Sequence, residues 1–134
     1  MEELAPLIAW ARSEAGFQGV LLVGSRARGA ERPDSDVDLV IVAEDRDRYL
    51  EDQGWLEVMS GSGPAAKREH WGALTSLRLK LASGLELDLG LVEPGWASTD
   101  PVDPGTARVI SDGARILLDP QGLLGRLLAS CRQS

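Results

Sequence analysis

The sequence predicts an α/β fold in which a mixed, twisted sheet of about five strands carries helices mainly on one face. Short apolar runs that end at glycine or begin at carboxylates predict buried strands. Leucines that alternate with polar or small residues predict a hairpin, and apolar residues at helical spacing near both ends predict covering helices. Because 134 residues suffice for one compact core, we expect a single domain over 1–134.

The first two predicted elements are a helix and a buried strand. The helix is indicated by an apolar stripe that ends before Gly16 and consists of Leu4, Leu7, Ile8, Ala11 and Ala15. The run 20–23, Val-Leu-Leu-Val, is too short for a helix and is bounded by Gly24. It therefore predicts a buried strand.

Gly24 and Ser25 form a turn of small residues at the end of this strand. They let the backbone bend tightly and bring N–H groups and one hydroxyl to the strand's end. We expect a short helix to begin just after Ser25, with its positive end directed at the same place. The turn thus has the donors that an anionic group needs.

The second apolar run, 36–42, begins with two aspartates. Alternate side chains of a strand share a face, so Asp36 and Asp38 point the same way, about 7 Å apart. Neither could be buried unpaired without a rise in its pKa and the loss of its charge. A metal ion, a cationic partner or open solvent must therefore face them, and the pair is typical of a divalent-cation site.

The turn and the aspartates also form one longer pattern, Gly24-Ser25-Arg26-Ala27-Arg28-Gly29 followed by Ser35-Asp36-Val37-Asp38-Leu39. This pattern resembles that of the nucleotidyltransferase superfamily, which includes DNA polymerase beta, aminoglycoside and lincosamide nucleotidyltransferases, and minimal nucleotidyltransferases. The resemblance implies that Mg²⁺ is bound by Asp36 and Asp38. It also implies a nucleotide-binding role for Gly24, Ser25, Arg28 and Gly29.

Other interpretations of these residues fail on spacing. Asp34, Asp36 and Asp38 match the first three ligands of an EF-hand, but Leu39 stands where glycine is needed and Asp45 where glutamate is needed. A haloacid dehalogenase-type phosphatase places its Asp-x-Asp at the end of an apolar strand, whereas this pair comes before the apolar residues. A P-loop requires a lysine after the glycines, and none follows them here. A polar connector with solvated aspartates stays open as the alternative.

The middle of the chain is predicted as a helix followed by a loop. The charged run 44–53 suits a helix with Tyr49 and Leu50 on its inner side, ending at Gly54. Glycines and a proline break any periodicity over 54–72, which predicts a loop. Its cations, Lys67, Arg68 and His70, would either contact phosphate or be solvated.

Seven leucines predict the hairpin: Leu77, Leu79, Leu81, Leu85, Leu87, Leu89 and Leu91. If 82–84 is a three-residue loop with Gly84 left-handed, Leu81 opposes Leu85. The same register places Arg78 opposite Asp88 and Lys80 opposite Glu86, so the leucines share one face and the charges share the other.

The superfamily that the chain resembles has a third carboxylate on a later strand, and Leu87-Asp88-Leu89 matches it. The resemblance therefore implies a catalytic and metal-binding triad of Asp36, Asp38 and Asp88. Glu86 has the same facing and is the alternative ligand. A cross-strand ion pair, worth about 0–1 kcal/mol at an exposed site, is the purely structural alternative for both.

The C-terminal part is predicted as helix, edge strand and helix. Asp103-Pro104 and Asp119-Pro120 each place a capping residue before a proline at the first helical position, so we expect helices to about Asp112 and Arg132, with a strand over 115–118 between them. An apolar stripe on the last helix is formed by Leu123, Leu124, Leu127, Leu128 and Cys131. Packing, rather than base stacking, is expected for Trp10, Trp55, Trp71 and Trp96.

Composition excludes several classes of protein. A net charge of −7 argues against bulk nucleic-acid binding, which needs a basic surface. The acidic start Met1-Glu2-Glu3 has no secretion signal, and the single Cys131 cannot form an internal disulfide. Because the apolar runs are too short to cross a membrane, we expect a cytoplasmic protein without membrane association.

The resemblance implies transfer of a nucleoside monophosphate, AMP by preference, from a nucleoside triphosphate to a hydroxyl of a small molecule or a partner protein, with release of pyrophosphate. Metal ions held by carboxylates can activate the attacking oxygen and neutralise the leaving phosphates, and Asp88 would act on the attacking side. The alternative is an antitoxin-type or regulatory nucleotide-binding module that acts through a HEPN-like helical partner, with the last helix as its docking surface.

Overall fold

A six-stranded mixed sheet lies at the centre of the computed structural model, which describes residues 2–29, 36–59 and 67–132. In this part of the chain the strands are β1 (Phe17–Val23), β2 (Val37–Ala43), β3 (Lys67–Trp71), β4 (Leu74–Lys80), β5 (Glu86–Val92) and β6 (Ala114–Leu118). Their order is β3-β4-β5-β2-β1-β6. β2 and β5 are parallel, and the other neighbours are antiparallel. The predicted α/β class is confirmed, with one strand more than expected.

The prediction of a loop over 54–72 is partly wrong. Gly54–Val58 form a 3₁₀ helix, and Lys67–Trp71 form β3, an edge strand paired with β4. β3 is held by backbone hydrogen bonds to β4 and does not need an apolar face. Its sequence therefore shows no apolar alternation that would predict a strand. The segment 60–66, with Gly61, Gly63 and Pro64, lies outside the described residues, as does the connector 30–35, with Asp34 and Ser35.

One face of the sheet packs against the N-terminal helices. These are α1 (Ala5–Arg12), α2 (Arg46–Glu51) and the 3₁₀ helix that follows α2. Trp10 stacks on Trp55 with ring centroids 5.9 Å apart, and both rings meet Phe17 edge-on. The expected packing role of these two tryptophans is thus confirmed. Five leucines of β4 and β5 share this core: Leu77, Leu79, Leu87, Leu89 and Leu91.

The other face packs in part against the C-terminal helices. These are α3 (Pro104–Ser111), α4 (Leu123–Arg132) and the 3₁₀ helix Pro94–Ala97. In β2, Leu39 and Ile41 belong to the first core, whereas Val40 and Val42 belong to the second. Because side chains alternate along a strand, Asp38 lies on this second face. Helices therefore cover part of the carboxylate face as well.

The β4–β5 hairpin has the predicted register. Gly84 has φ +93°, and the Leu81 N–H donates to the Leu85 carbonyl at 2.9 Å. Arg78 stands opposite Asp88, and Lys80 stands opposite Glu86. A three-residue loop and one leucine face were enough to determine this pairing because a shift by one residue would expose every leucine.

The helix ends agree with the predictions in part. The Asp103 side chain caps α3 by accepting from the N–H groups of Gly105 and Thr106. Asp119 likewise accepts from Leu124 and Gly125, but α4 begins at Leu123 rather than at Pro120. The helix expected just after Ser25 is absent from 25–29, which form turns.

A membrane span requires a helix that is both long and apolar. Among the described residues, no helix has both properties.

Candidate functional site

The turn after β1 is a tight one that only glycine can begin without strain. Gly24 has φ +75° and Gly29 has φ +71°, a region that side chains disfavour. The Gly24 carbonyl accepts from the N–H groups of Ala27 (3.1 Å) and Arg28 (3.3 Å), and the Arg26 carbonyl accepts from Gly29 (3.3 Å). Within the described residues, no hydrogen bond uses the amide or hydroxyl of Ser25. Donors are thus left at the mouth of the turn.

The turn lies directly against the carboxylate of Asp38. A Cβ atom on Gly24 would come within 2.5 Å of Oδ2 of Asp38, so no side chain fits between them. Val23 pairs with Asp38 across β1 and β2, which brings the turn to this carboxylate. The antiparallel pairing of β1 with β2 therefore joins the two halves of the sequence pattern at one end of the sheet.

Asp38 and Asp88 are neighbours on parallel strands. The register of β2 and β5 sets Asp38 beside Asp88, and Asp36 comes immediately before β2. Side chains of neighbouring residues in register lie on the same face. The three carboxylates predicted to act together thus lie near the N-terminal ends of two central strands, although 50 residues separate Asp38 from Asp88 in the sequence.

Arg78 and Ser76 of β4 hold the side chain of Asp88. Arg78 Nε donates to Oδ2 of Asp88 at 3.3 Å, and Ser76 Oγ donates to Oδ1. Arg78 also forms an ion pair with Asp36, with Nη2 3.9 Å from Oδ2. The hydrogen bond with Asp88, reinforced by the charge of the carboxylates, raises the pKa of Arg78 above its usual value. This guanidinium therefore bridges two of the three carboxylates.

The carboxyl of Asp38 has a perturbed pKa. Its burial, with the negative charges of Asp88 and Asp36 as further causes, raises the pKa of its carboxyl above the usual 3.8, and Arg78 opposes this rise. Partial burial removes water that would stabilise the charge, and the nearby carboxylates repel it. A carboxyl perturbed by burial and by neighbouring charges is typical of a functional site.

Residues 12–94 match a protein family described as the nucleotidyltransferase domain. The chain belongs to this family. A search of curated protein sequences finds no match. The nucleotidyltransferase family match spans the turn, all three carboxylates and Arg78, whereas α3, β6 and α4 lie beyond it.

Two solved structures have folds similar to that of this chain. The chain is similar to the crystal structure of an aminoglycoside 6-adenyltransferase from Bacillus subtilis, with 17% identity, a TM-score of 0.52 and coverage of 72% of this chain. This chain covers 35% of that enzyme, about a third of its length. A toxin–antitoxin structure with AMP-PNP has 17% identity and a TM-score of 0.50, with coverage of 99% of this chain and 86% of that one.

The donor chemistry of the carboxylate cluster in this nucleotidyltransferase domain fits a divalent cation. Carboxylate oxygens are the ligands that Mg²⁺ prefers, and a cation would relieve the repulsion among carboxylates that lie together. In the part of the chain that the structure describes, however, no three His, Cys, Asp or Glu side chains are already arranged to hold a metal ion together. Arg78 pairs with two of the carboxylates instead.

A second set of contacts holds the turn of the nucleotidyltransferase domain from the C-terminal side. Arg28 Nη1 donates to the Asp112 carbonyl at 3.1 Å, and Arg115 Nε donates to the Ala27 carbonyl at 3.2 Å. A Cβ atom on Gly113 would meet Cγ of Arg28 at 2.5 Å. Sequence reasoning missed Arg115, Asp112 and Gly113 because no local pattern signals a contact over more than 80 residues.

The remaining predicted residues have separate locations. Glu86 and Lys80 line a cleft of about 260 Å³ next to Asp36 and Arg78, so Glu86 stays close to the site. Arg68 pairs in register with Leu77 and His70 with Thr75, which places them on the face opposite Asp88. His70 Nδ1 lies 2.9 Å from Thr75 Oγ1. The structure therefore does not bring Arg68 or His70 to the carboxylates. The third cation of this segment, Lys67, pairs in register with Arg78.

Proposed function

We propose that this chain transfers a nucleoside monophosphate, AMP by preference, from a nucleoside triphosphate to a hydroxyl acceptor and releases pyrophosphate. The observation that carries the proposal is the contact between the Gly24 turn and Asp38, which itself lies beside Asp88. Amide donors and a carboxylate cluster thus face the same space, as phosphoryl-type transfer to a hydroxyl requires. Membership of the nucleotidyltransferase domain family supports it.

The turn would bind the triphosphate. The amide and hydroxyl of Ser25 are available to phosphate oxygens, and the glycines at 24 and 29 let the backbone approach them. Arg28 is anchored to the Asp112 carbonyl through Nη1, and its other nitrogens can add positive charge at the turn. We therefore assign nucleotide binding to Gly24, Ser25, Arg28 and Gly29.

The carboxylates would hold Mg²⁺ and orient the acceptor. Asp36, Asp38 and Asp88 would be its ligands, with Glu86 as the alternative to Asp88. When bound, the ion would neutralise charge on the phosphates and lower the pKa of the attacking hydroxyl. Asp88 is positioned by Ser76 and Arg78 and is the residue we assign to the acceptor side, where it would take the proton of the hydroxyl.

The similar solved structures support adenine as the base. One is an aminoglycoside 6-adenyltransferase and the other was determined with AMP-PNP. The first suggests a small molecule with hydroxyl groups as acceptor. This chain spans about a third (35%) of the length of that enzyme.

A second candidate function is an antitoxin-type or regulatory module with a HEPN-like helical partner. The toxin–antitoxin structure favours it because it is matched over 99% of this chain and 86% of that one. The partner protein would then supply the acceptor hydroxyl. The last helix is a poorer docking surface than expected, since Leu124 and Leu127 of α4 are fully buried in the chain's own core.

The deciding experiment is incubation of the protein with each labelled nucleoside triphosphate and Mg²⁺, with pyrophosphate release measured against hydroxyl acceptors and candidate partner proteins. We expect release with ATP and its loss in Asp38→Asn. Asp47→Asn, which removes a carboxylate with 74% exposure after β2, is the matched control and should retain activity. Nucleotide binding without transfer would favour the regulatory module, and absence of both would refute the proposal.

A further inference from the structure

The guanidinium of Arg78 occupies a position that a metal ion would also need. Its Nε lies 3.3 Å from Oδ2 of Asp88, and its Nη2 lies 3.9 Å from Oδ2 of Asp36. These are two of the three carboxylates to which we assign metal binding. A carboxylate oxygen that pairs closely with a guanidinium loses much of its capacity to coordinate a second cation.

The position of Arg78 follows from the sheet and not from a mobile loop. β4 and β5 are antiparallel, and their register sets Arg78 opposite Asp88. The parallel pairing of β2 with β5 then brings Asp36, just before β2, within reach of the same guanidinium. The side chain of Arg78 is half exposed, at 50%, so it can rotate into solvent without loss of core packing.

The carboxylates need a counter-charge whether or not a metal ion is bound. Asp38 lies in register beside Asp88, and Asp36 comes immediately before β2, so three carboxylates lie together on this face and repel one another. Arg78 thus supplies one positive charge to a cluster that would gain two from a divalent cation. Both cations compete for the same oxygens, because each is attracted by the same negative charge.

We propose that Arg78 is a resident counter-ion of the carboxylate cluster, which a divalent cation must displace from Asp36 and Asp88 before it can bind. Arg78 therefore sets the metal affinity of the site and keeps it assembled without metal. Metal binding releases the guanidinium toward the cleft of about 260 Å³ that Arg78, Lys80 and Glu86 line. This inference rests on the proposed function for the identity of the metal ligands.

Lys80 provides a matched control for Arg78. It lies two residues further along β4, on the same face, opposite Glu86. Arg78→Gln and Lys80→Gln each remove one positive charge from this face, but only the former removes the ion pairs with Asp36 and Asp88. A general effect of net charge would change both variants equally. Arg78→Lys keeps the charge but cannot reproduce the forked contact with two carboxylates.

The test is titration of the wild-type chain and these variants with MnCl₂ and MgCl₂ alone, followed by calorimetry and by the rise in melting temperature. We expect Arg78→Gln to bind the metal about tenfold more tightly than wild type, since two partly exposed ion pairs no longer compete. Lys80→Gln should match wild type, and Arg78→Lys should lie between wild type and Arg78→Gln.

Equal metal affinity in Arg78→Gln and Lys80→Gln, weaker binding in Arg78→Gln, or no binding by any variant would overturn the inference. The readout does not depend on turnover, so the two proposals can fail separately. If wild type transfers nucleotide and Arg78→Gln binds metal with the same affinity as wild type, only the counter-ion role of Arg78 is refuted. Tighter metal binding by Arg78→Gln, with no nucleotide transfer by wild type, would refute the proposed function alone.

Discussion

Gly24 lies so close to Asp38 that a Cβ atom on the glycine would be 2.5 Å from Oδ2 of the aspartate. The turn proposed to bind phosphate and the carboxylate proposed to bind metal are therefore in direct contact. A change at either residue displaces the other. This contact and the positive φ of the turn both favour glycine at position 24.

Gly24→Ala should impair catalysis beyond its effect on stability. The positive φ of Gly24 alone predicts a loss of about 1 kcal/mol in the free energy of unfolding. Displacement of Asp38 should further reduce turnover by about 10²-fold, because small misplacements of catalytic groups are costly. Gly84→Ala is the control, since Gly84 also has a positive φ but nothing within 4 Å of a Cβ atom. Denaturant unfolding and pyrophosphate release would show whether only Gly24→Ala loses turnover.

Asp38 should make the metal-free protein less stable as the pH rises. Its pKa in the folded chain is raised above the usual 3.8, so the unfolded chain releases this proton first. The stability associated with the protonated carboxyl is complete below about pH 3.8 and is lost as the pH rises through the folded pKa. Melting temperatures of wild type and Asp38→Asn, measured with chelator from pH 4 to 8, should diverge in favour of the variant. A wild-type protein that gains relative to Asp38→Asn over this range would contradict the assignment.

Asp88→Asn should lower turnover by a factor on the order of 10² or more while nucleotide binding persists. The reason is that Asp88 is assigned to the acceptor side and not to the triphosphate. Its stability cost should be only about 0–1 kcal/mol, because the pair with Arg78 is partly exposed. Glu86→Gln serves as the comparison, with single-turnover kinetics and nucleotide titration on both. If Glu86→Gln is inactive and Asp88→Asn is not, the third ligand is Glu86.

Arg115→Ala should raise KM for the nucleotide about fivefold and leave kcat nearly unchanged, as expected for the loss of one hydrogen bond worth about 1 kcal/mol. Arg115 holds the turn through the Ala27 carbonyl and is not placed to contact the reacting atoms. Arg108→Ala, which removes an exposed arginine of α3, provides the control for net charge. Steady-state kinetics with varied nucleotide would separate the two parameters. A fall in kcat alone would show that Arg115 does more than position the turn.

Much of the site was predictable because its parts are local in the sequence. The small size of Gly24 and Ser25 predicts a turn. Asp36 and Asp38 are two residues apart, so a strand places both aspartates on one face. The pairing of Arg78 with Asp88 was predictable too, since a short hairpin has only one register that buries every leucine. β3 was missed because an edge strand of mostly polar residues carries no apolar alternation.

The sequence by itself determined the α/β class, the hairpin register and the two halves of the pattern from Gly24 to Asp38, because each depends on hydrophobic periodicity or on residue size over a few positions. Only the tertiary structure decided which strands are neighbours outside the β4–β5 hairpin. The parallel pairing of β2 with β5 sets Asp38 beside Asp88, the guanidinium of Arg78 reaches Asp36 across β5, and Arg115 holds a turn 88 residues before it. Such contacts arise from strand order. Strand order depends on how the whole chain buries its apolar surface, and no local pattern encodes it.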